Sequence, residues 1–237
     1  MVKRAHSTHL RTRPLGGNRR RGNHGGKRNS AGQYGWTDEP YETTMQRALA
    51  AAERAVELET RDSDAHYVPG VVAWTYGQLL QAEEFFQQCL RLTRSYPPAR
   101  AFLGLVRGRL GFPADTAVHC ERAFALRPRE PLRAVWHHFN AVASLALGDS
   151  RAALEHVQRD IAANPAYAQH YMTGAAAAQS LGESAQARAW VAVLRERSVF
   201  SSLASIRLRF GRTYAPAAMG QSEQLIGLLR DAGMPER

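Results

Sequence analysis

From Tyr41 onward, apolar residues recur every three or four positions, the spacing that gathers them on one face of an α-helix. Met45, Leu49, Ala52, Ala55, Val56 and Leu58 form the first such stripe, with Thr43 or Thr44 placed to cap its start. Four longer blocks follow, each made of two stripes parted by a glycine: Gly77, Gly111, Gly148 and Gly182. These glycines lie 34, 37 and 34 residues apart. Five residues after each comes a small residue, Ala82, Thr116, Ala153 or Ala187. Two blocks then close on a proline, Pro128 and Pro165. A glycine at the turn supplies the left-handed backbone that ends a helix at little cost. The small residue lets the returning helix approach its partner closely. A two-helix period of this length predicts an all-α, right-handed α-solenoid, whose units bury their apolar faces only against their neighbours.

The blocks divide the chain into units at about 62–95, 96–129, 130–165 and 166–199. Asp62-Ser63-Asp64 caps a helix running to about Tyr76, and Leu80 to Thr93 forms its return. Pro97 and Pro98 open the next first helix. Pro113 opens its return in the first turn, where a missing N–H does no harm. The third first helix passes through Trp136 to Leu147, and the fourth unit returns through Ala187, Trp190, Val191 and Leu194. Ala48 lies 34 residues before Ala82, so residues 41–60 read as the second half of an earlier unit. No first helix is legible before it. That pattern predicts an apolar edge along Leu49, Ala52 and Val56, and either an altered start of the gene product or a solenoid cut at that point. Beyond Ser201 the period fades into a short helix through Leu203, Ile206, Leu208 and Phe210. After a Gly-Pro loop, a last amphipathic helix runs from about Ser222 to Asp231 and is stopped by Gly233 and Pro235. Residues 201–237 are expected to cap the open end of the solenoid.

Charge changes the picture at one end only. The chain has 237 residues, 44% of them apolar, and a formal net charge of +10. Nine of its 31 basic residues lie within residues 1–35, among them Arg19, Arg20, Arg21, Lys27 and Arg28, with no acid. The remaining 22 face 21 acidic residues, so the solenoid is nearly neutral. Residues 1–40, rich in Gly, Arg, Asn and Ser, cannot bury enough apolar surface to offset chain entropy, and disorder is expected. Such a segment either binds nucleic-acid phosphates through residues 1–35, with Tyr34 and Trp36 for stacking, or is a plain polar tail. No apolar run has the length a bilayer demands. No apolar segment follows the arginine run, which argues against an export signal. A cytoplasmic protein is expected. Cys89 and Cys120 sit on apolar helical stretches and read as buried thiols rather than as a disulfide or metal pair.

Candidate chemistry is sparse. Gly22 to Lys27 has the wrong spacing for a phosphate loop, and no strand precedes it. His137 and His138, with His119 and His156 nearby, invite a metal reading. However, adjacent helical residues point about 100° apart and do not chelate as an i, i+4 pair does. Packing or surface histidines, and no metal, are expected. Glu83, Glu84 and Asp149 lie at turns or on exposed faces, and no nucleophile–base arrangement is apparent. The sequence predicts no catalytic residue and no cofactor.

The segments from Gly77 to Ala82, Gly111 to Thr116, Gly148 to Ala153 and Gly182 to Ala187 resemble tetratricopeptide repeats. Gly70 and Gly104 match that family's small position in the first helix, and Ala141 and Ala175 occupy it later. Ala123 matches a small position in the second helix, where Cys89, Asp160 and Leu194 depart from the pattern. The resemblance covers about residues 42–200. It implies a protein–protein interaction scaffold without catalysis of its own. The strings Cys120 to Pro131 and Leu228 to Glu236 look like the C-terminal repeat region of bacterial class III adenylate or guanylate cyclases and related winged-helix regulators. That narrower resemblance implies a signalling context, without the catalytic or DNA-binding domain that precedes the repeats in those proteins.

In such solenoids the first helices line a concave face. The inward positions are Tyr67, Val71 and Trp74; then Ala101, Leu105 and Arg109; then His138 and Val142; then Met172. This lining is apolar and aromatic, with one arginine. It lacks the Lys and Asn with which some family members hold a peptide's terminal carboxylate. A protein or peptide ligand with an apolar helical or extended segment is therefore expected. Each position could instead be inter-helix core, and the C-terminal segment could itself fill the groove.

Overall fold

The computed structural model describes residues 41–58, 60–129, 133–163 and 165–237. The expectations for residues 1–40, disorder and nucleic-acid binding, lie outside the described residues. Eleven α-helices and no strand occur among the described residues. They are α1 (Tyr41–Leu58), α2 (Ser63–Thr75), α3 (Leu79–Leu92), α4 (Pro97–Arg109), α5 (Pro113–Leu126) and α6 (Arg133–Ala146), followed by α7 (Ser150–Ala163), α8 (Gln169–Ser180), α9 (Ser184–Arg197), α10 (Leu203–Thr213) and α11 (Met219–Asp231). A single 3-10 turn, Pro216–Ala218, precedes α11. Helices α2 to α9 pack as four consecutive pairs, each against the next, so the chain is an all-α solenoid.

The turns repeat one hydrogen-bond scheme. Gly77, Gly111, Gly148 and Gly182 have φ between +79° and +109°. The N–H of the following residue reaches back to the carbonyl five residues earlier: Gln78 to Ala73, Phe112 to Arg107, Asp149 to Ser144 and Glu183 to Ala178, each at 2.9 Å. This left-handed closure satisfies carbonyls that a helix end otherwise leaves bare. At the start of α2, the Asp62 carboxylate accepts the Asp64 N–H at 2.9 Å, the cap that the sequence predicts. Where two helices of a pair touch, Ala82, Ala153 and Ala187 are fully buried, and the Thr116 hydroxyl donates to the Gly104 carbonyl at 2.9 Å.

Two apolar cores run through the solenoid. The first spans α2 to α6 and is built on aromatic rings: Tyr67, Trp74, Phe86 and Phe139 all lie with centroids within 6.1 Å of Phe102 or of one another. The second begins at Leu145 and continues through α8 and α9 into the C-terminal helices. Between them, in α6, α7 and α8, lies a layer of buried polar side chains: His138, Asn140, Asp160, His170 and Thr173.

Two local expectations are corrected. Helix α1 already starts at Tyr41, so Thr43 and Thr44 lie inside it and do not cap it. Helix α11 begins at Met219 rather than Ser222, because the 3-10 turn leads straight into it. The C-terminal segment packs on the last helix pair through the second apolar core, and α11 also lies against the first helix α6 of the pair before it. The predicted edge of α1 is half-covered at Leu49 and Val56, where α1 lies on α2.

Candidate functional site

The row of first helices is the face on which the sequence locates a ligand groove, and the chain's own C-terminus lies across it. A capping box between Ser202 and Ser205 starts α10. The segment is closed at its far end as well. The N–H groups of Leu203 and Ala204 donate to the carbonyls of Pro235 and Glu236, at 2.8 and 3.1 Å. The Glu236 carboxylate meets Arg207 at 2.8 Å and Arg230 at 2.9 Å. As a self-closed hairpin, α10 and α11 then reach back along the solenoid. The Ala215 N–H donates to the Arg109 carbonyl at 3.0 Å, and the Arg209 guanidinium donates to the Thr75 carbonyl at 3.4 Å. At Gly77 the approach is so close that a Cβ would stand 1.5 Å from the Arg212 carbonyl oxygen.

Arg109 is the polar centre of this contact. Its guanidinium lies 3.8 Å from the Tyr214 ring centre and 5.5 Å from that of Phe210. The Nε and Nη1 atoms are buried without hydrogen-bond partners. Burial holds the arginine's pKa below its ordinary value and holds that of Tyr214 above its own. A desolvated cation over an aromatic face is worth about 2 kcal/mol, which offsets part of the cost of burying it.

The structure divides the expected groove residues among three settings. Leu105, Arg109 and Val142 line one small cavity together with Tyr214 and Gln221 of the C-terminal segment. Tyr67, Val71, Trp74 and Ala101 belong to or pack on the first apolar core, where Tyr67 also touches the Tyr96 ring at 5.2 Å. Met172 is buried in the second core beneath the C-terminal helices, and His138 stands in the polar layer. An open groove along all nine positions is thus not what the chain forms. Ala101, Leu105, His138 and Met172 are at most 7% exposed.

The polar layer holds chemistry that the sequence reading passed over. His138 from α6, Asp160 from α7 and His170 from α8 each offer one donor atom, and these atoms lie within 4.8 Å of one another. His170 Nδ1 is 3.3 Å from Asp160 Oδ2 without the alignment of a hydrogen bond. Both Asp160 oxygens, both His170 ring nitrogens, His138 Nδ1 and Thr173 Oγ1 are buried and unpartnered among the protein atoms. An unsatisfied buried polar group costs about 1–3 kcal/mol, so this set is a concentrated expense. Burial pushes Asp160 up to about 8 and His170 down to about 4. His138 is pushed down to about 3, by burial first and then by His170 and Arg109. Rings of Tyr167, His138 and His170 pack edge-on around the site, with centroids 4.6 to 5.6 Å apart.

His137, His119 and His156, weighed with His138 in the sequence, are not part of this set; His137 stacks on Phe124 at 4.5 Å. The available signal was Asp160 itself. It occupies the second-helix position held by Cys89, Ala123 and Leu194 in the other units, and all four residues are fully buried. An acid at a position that the repeat buries needs partners, and only the fold shows them to be His138 and His170.

No protein-family model matches the chain, and no curated protein matches it. Solved structures do. The type IV pilus biogenesis factor PilW superposes with a TM-score of 0.61 at 19% identity, over 80% of this chain and 90% of that one. A thermophilic TPR protein of Thermus thermophilus gives 0.57 at 20% identity, over 73% and 91%. YrrB, a TPR protein with an unusual peptide-binding site, gives 0.50 at 18% identity, over 78% and 92%. No helix among the described residues is long and apolar enough to cross a membrane. The fold is that of a tetratricopeptide-repeat solenoid.

Proposed function

We propose that this chain is a protein–protein interaction scaffold whose first-helix face takes a helical segment, with the chain's own C-terminal hairpin as the resident occupant. The observation that carries the reading is the seat of that hairpin: an aromatic ring on a buried arginine, joined by a backbone hydrogen bond to the end of α4. A partner would enter by presenting an aromatic residue to Arg109 on an apolar helix, in place of Tyr214. The peptide site named for YrrB supports a peptide as the ligand class. This face is read as a binding surface rather than a catalytic one, since the hairpin is held on it by the Arg109 stack and by hydrogen bonds to backbone carbonyls. A regulatory role like that of the cyclase-associated repeats rests on the two sequence strings alone.

The test is selection from a displayed library of amphipathic helical peptides, against the wild type and against Tyr214→Ala. The reading expects aromatic-bearing peptides that bind Tyr214→Ala more tightly than the wild type and are lost in Tyr214→Ala/Arg109→Met. A correctly folded Tyr214→Ala protein that selects no peptide, or selects peptides indifferent to Arg109, ends the reading.

A further inference from the structure

We propose that His138, Asp160 and His170 form a three-ligand site for a divalent transition metal of the zinc class, set in the seam between the third and fourth helix pairs. Three independent observations converge. The first is composition by position. His138 stands where Tyr67, Ala101 and Met172 stand in the other units, and Asp160 where Cys89, Ala123 and Leu194 stand. His170 matches the positions of Ala99 and Trp136. At these positions the other units carry alanine, tryptophan, methionine, leucine, a tyrosine or the lone thiol of Cys89, and among the described residues one seam alone brings three metal-ligating groups together.

The second is geometry. The three donor atoms come from three successive helices to within 4.8 Å of one another, and His170 Nδ1 lies 3.3 Å from Asp160 Oδ2. Two ligands at metal bonds of about 2.0–2.1 Å in a tetrahedron stand roughly 3.3–3.4 Å apart. The observed pair therefore already has the edge length that a shared ion requires, although it lacks the alignment of a hydrogen bond. The third is the unsatisfied state of the donors. Asp160 and His170 are fully buried, and among the described residues no protein group bonds either carboxylate oxygen or either ring nitrogen.

The donor set selects the ion. Two imidazoles and one carboxylate suit zinc, cobalt and their neighbours, whereas calcium and magnesium require a shell of oxygens. A fourth position is left for water or for a protein group that shifts on binding. His138, at 7% exposure, is the least covered of the three and marks the way in. With the ion in place, α6, α7 and α8 are tied at one point in the layer where the two apolar cores are interrupted. The site is structural, a staple across the seam, and it does not depend on what the first-helix face binds.

The experiment uses the full chain carrying His6→Gln, His9→Gln and His24→Gln, which removes competing imidazoles from the N-terminal segment. The protein is stripped with a chelator, then titrated with Co2+ by visible absorption and with Zn2+ by calorimetry. The expected result is one ion per chain, a rise in Tm with Zn2+, and affinity at least about 100-fold weaker in Asp160→Asn and in His170→Gln. His137→Gln should bind as the parent does. Absence of uptake in the parent overturns the site, and so does equal uptake by a folded Asp160→Asn. Should both variants fail to fold, Co2+-induced shifts of the His138 and His170 ring protons in the parent decide the matter. Shifts confined to other histidines overturn the proposal.

Discussion

The Arg109 guanidinium lies 3.8 Å above the ring of Tyr214, a residue 105 positions further along the chain. This one stack joins the end of α4 to the end of α10, and the neighbouring Ala215 N–H bonds the Arg109 carbonyl. A solenoid ordinarily makes contacts only between adjacent units. Here the C-terminal hairpin makes long-range ones, so the first-helix face behaves in part like the interior of a compact domain. Loss of the hairpin should therefore be felt locally at the ends of α2 and α4, where it meets the Thr75 and Arg109 carbonyls.

Tyr214→Ala removes a buried ring and the π-face under Arg109. By analogy with other buried aromatic truncations it should cost about 3–5 kcal/mol, read from urea unfolding. Hydrogen-exchange protection should fall first in α10 and at the N–H of Ala215. Arg109→Met keeps the stem while removing a cation with two unpartnered N–H groups, so its cost should stay within about 1 kcal/mol. A larger loss in Arg109→Met than in Tyr214→Ala would contradict this account of the stack.

Gly77→Ala and Gly148→Ala separate backbone strain from hairpin contact. Both glycines are left-handed, at φ +80° and +82°, and each substitution should cost roughly 1–2 kcal/mol for that reason. Around Gly148 a Cβ meets nothing within 4 Å, whereas at Gly77 it meets the Arg212 carbonyl at 1.5 Å. Gly77→Ala should consequently be the more destabilising, and only it should increase proteolysis between α10 and α11. Equal effects from the pair would mean that the hairpin does not rest on the first turn.

The repeat was legible because its signals are local. A left-handed turn needs glycine, a close helix pair needs Ala82 or Thr116, and both recur at a fixed interval. The seat of the hairpin was not legible, because nothing in the amphipathic stripe of Leu225, Ile226 and Leu229 says which apolar face it covers; an end cap and a filled groove need the same pattern. The groove residues are ambiguous in the sequence for a related reason. Tyr67 and Trp74 satisfy a groove pattern and a core pattern equally, and the aromatic neighbours Phe86 and Phe102 that settle it come from other helices. The polar layer is not legible because spacing along the chain reveals metal ligands only within one helix, whereas His138, Asp160 and His170 meet across three.

Stability of chelator-stripped protein should peak near pH 6.5. Asp160, raised to about 8, holds a proton in the native state that the unfolded chain has released, so stability falls as pH rises from about 4 toward 8. His170 and His138, lowered to about 4 and 3, are neutral when folded and protonated when unfolded, so stability is lost as pH falls below 6.5. His119, His137 and His156, also lowered mainly by burial, steepen that acid limb. Asp160→Asn should flatten the alkaline limb, a change of at most about 1.4 kcal/mol per pH unit. Urea midpoints from pH 5 to 8.5 test it, and a wild-type stability that climbs steadily from 6.5 to 8 refutes it.

The thiols should be inert in the native state. Burial, with Asp64 and Asp62 nearby, pushes Cys89 up to about 12, and burial with Glu121 nearby raises Cys120 as well. Since the thiolate is the reactive form, alkylation at pH 8 should proceed only as fast as the chain opens. Mass spectrometry after brief iodoacetamide treatment should show both cysteines unmodified; rapid labelling of either one would place it at the surface.

Removing residues 201–237 should unfold the solenoid from one end only. The second apolar core takes Leu203, Ile206, Phe210, Leu225, Ile226 and Leu229 from the hairpin, and without them Met172, Ala175 and Ala176 of α8 face water. The first core draws its buried members from α2 to α6, and the deleted residues meet it only at its edge, through Ala215 and through the Tyr214 and Gln221 that line a small cavity with Leu105 and Phe139. Repeat solenoids divide their stability by unit and interface. The truncated chain should therefore keep slow hydrogen exchange in α3, α4 and α5 and lose it in α8 and α9, and it should self-associate through the bared apolar face. Adding a synthetic peptide of residues 201–237 should restore protection in α8 and dissolve the oligomers. If α3 to α5 lose protection together with α8 and α9, the two cores fold as one, and the polar layer between them does not divide the molecule.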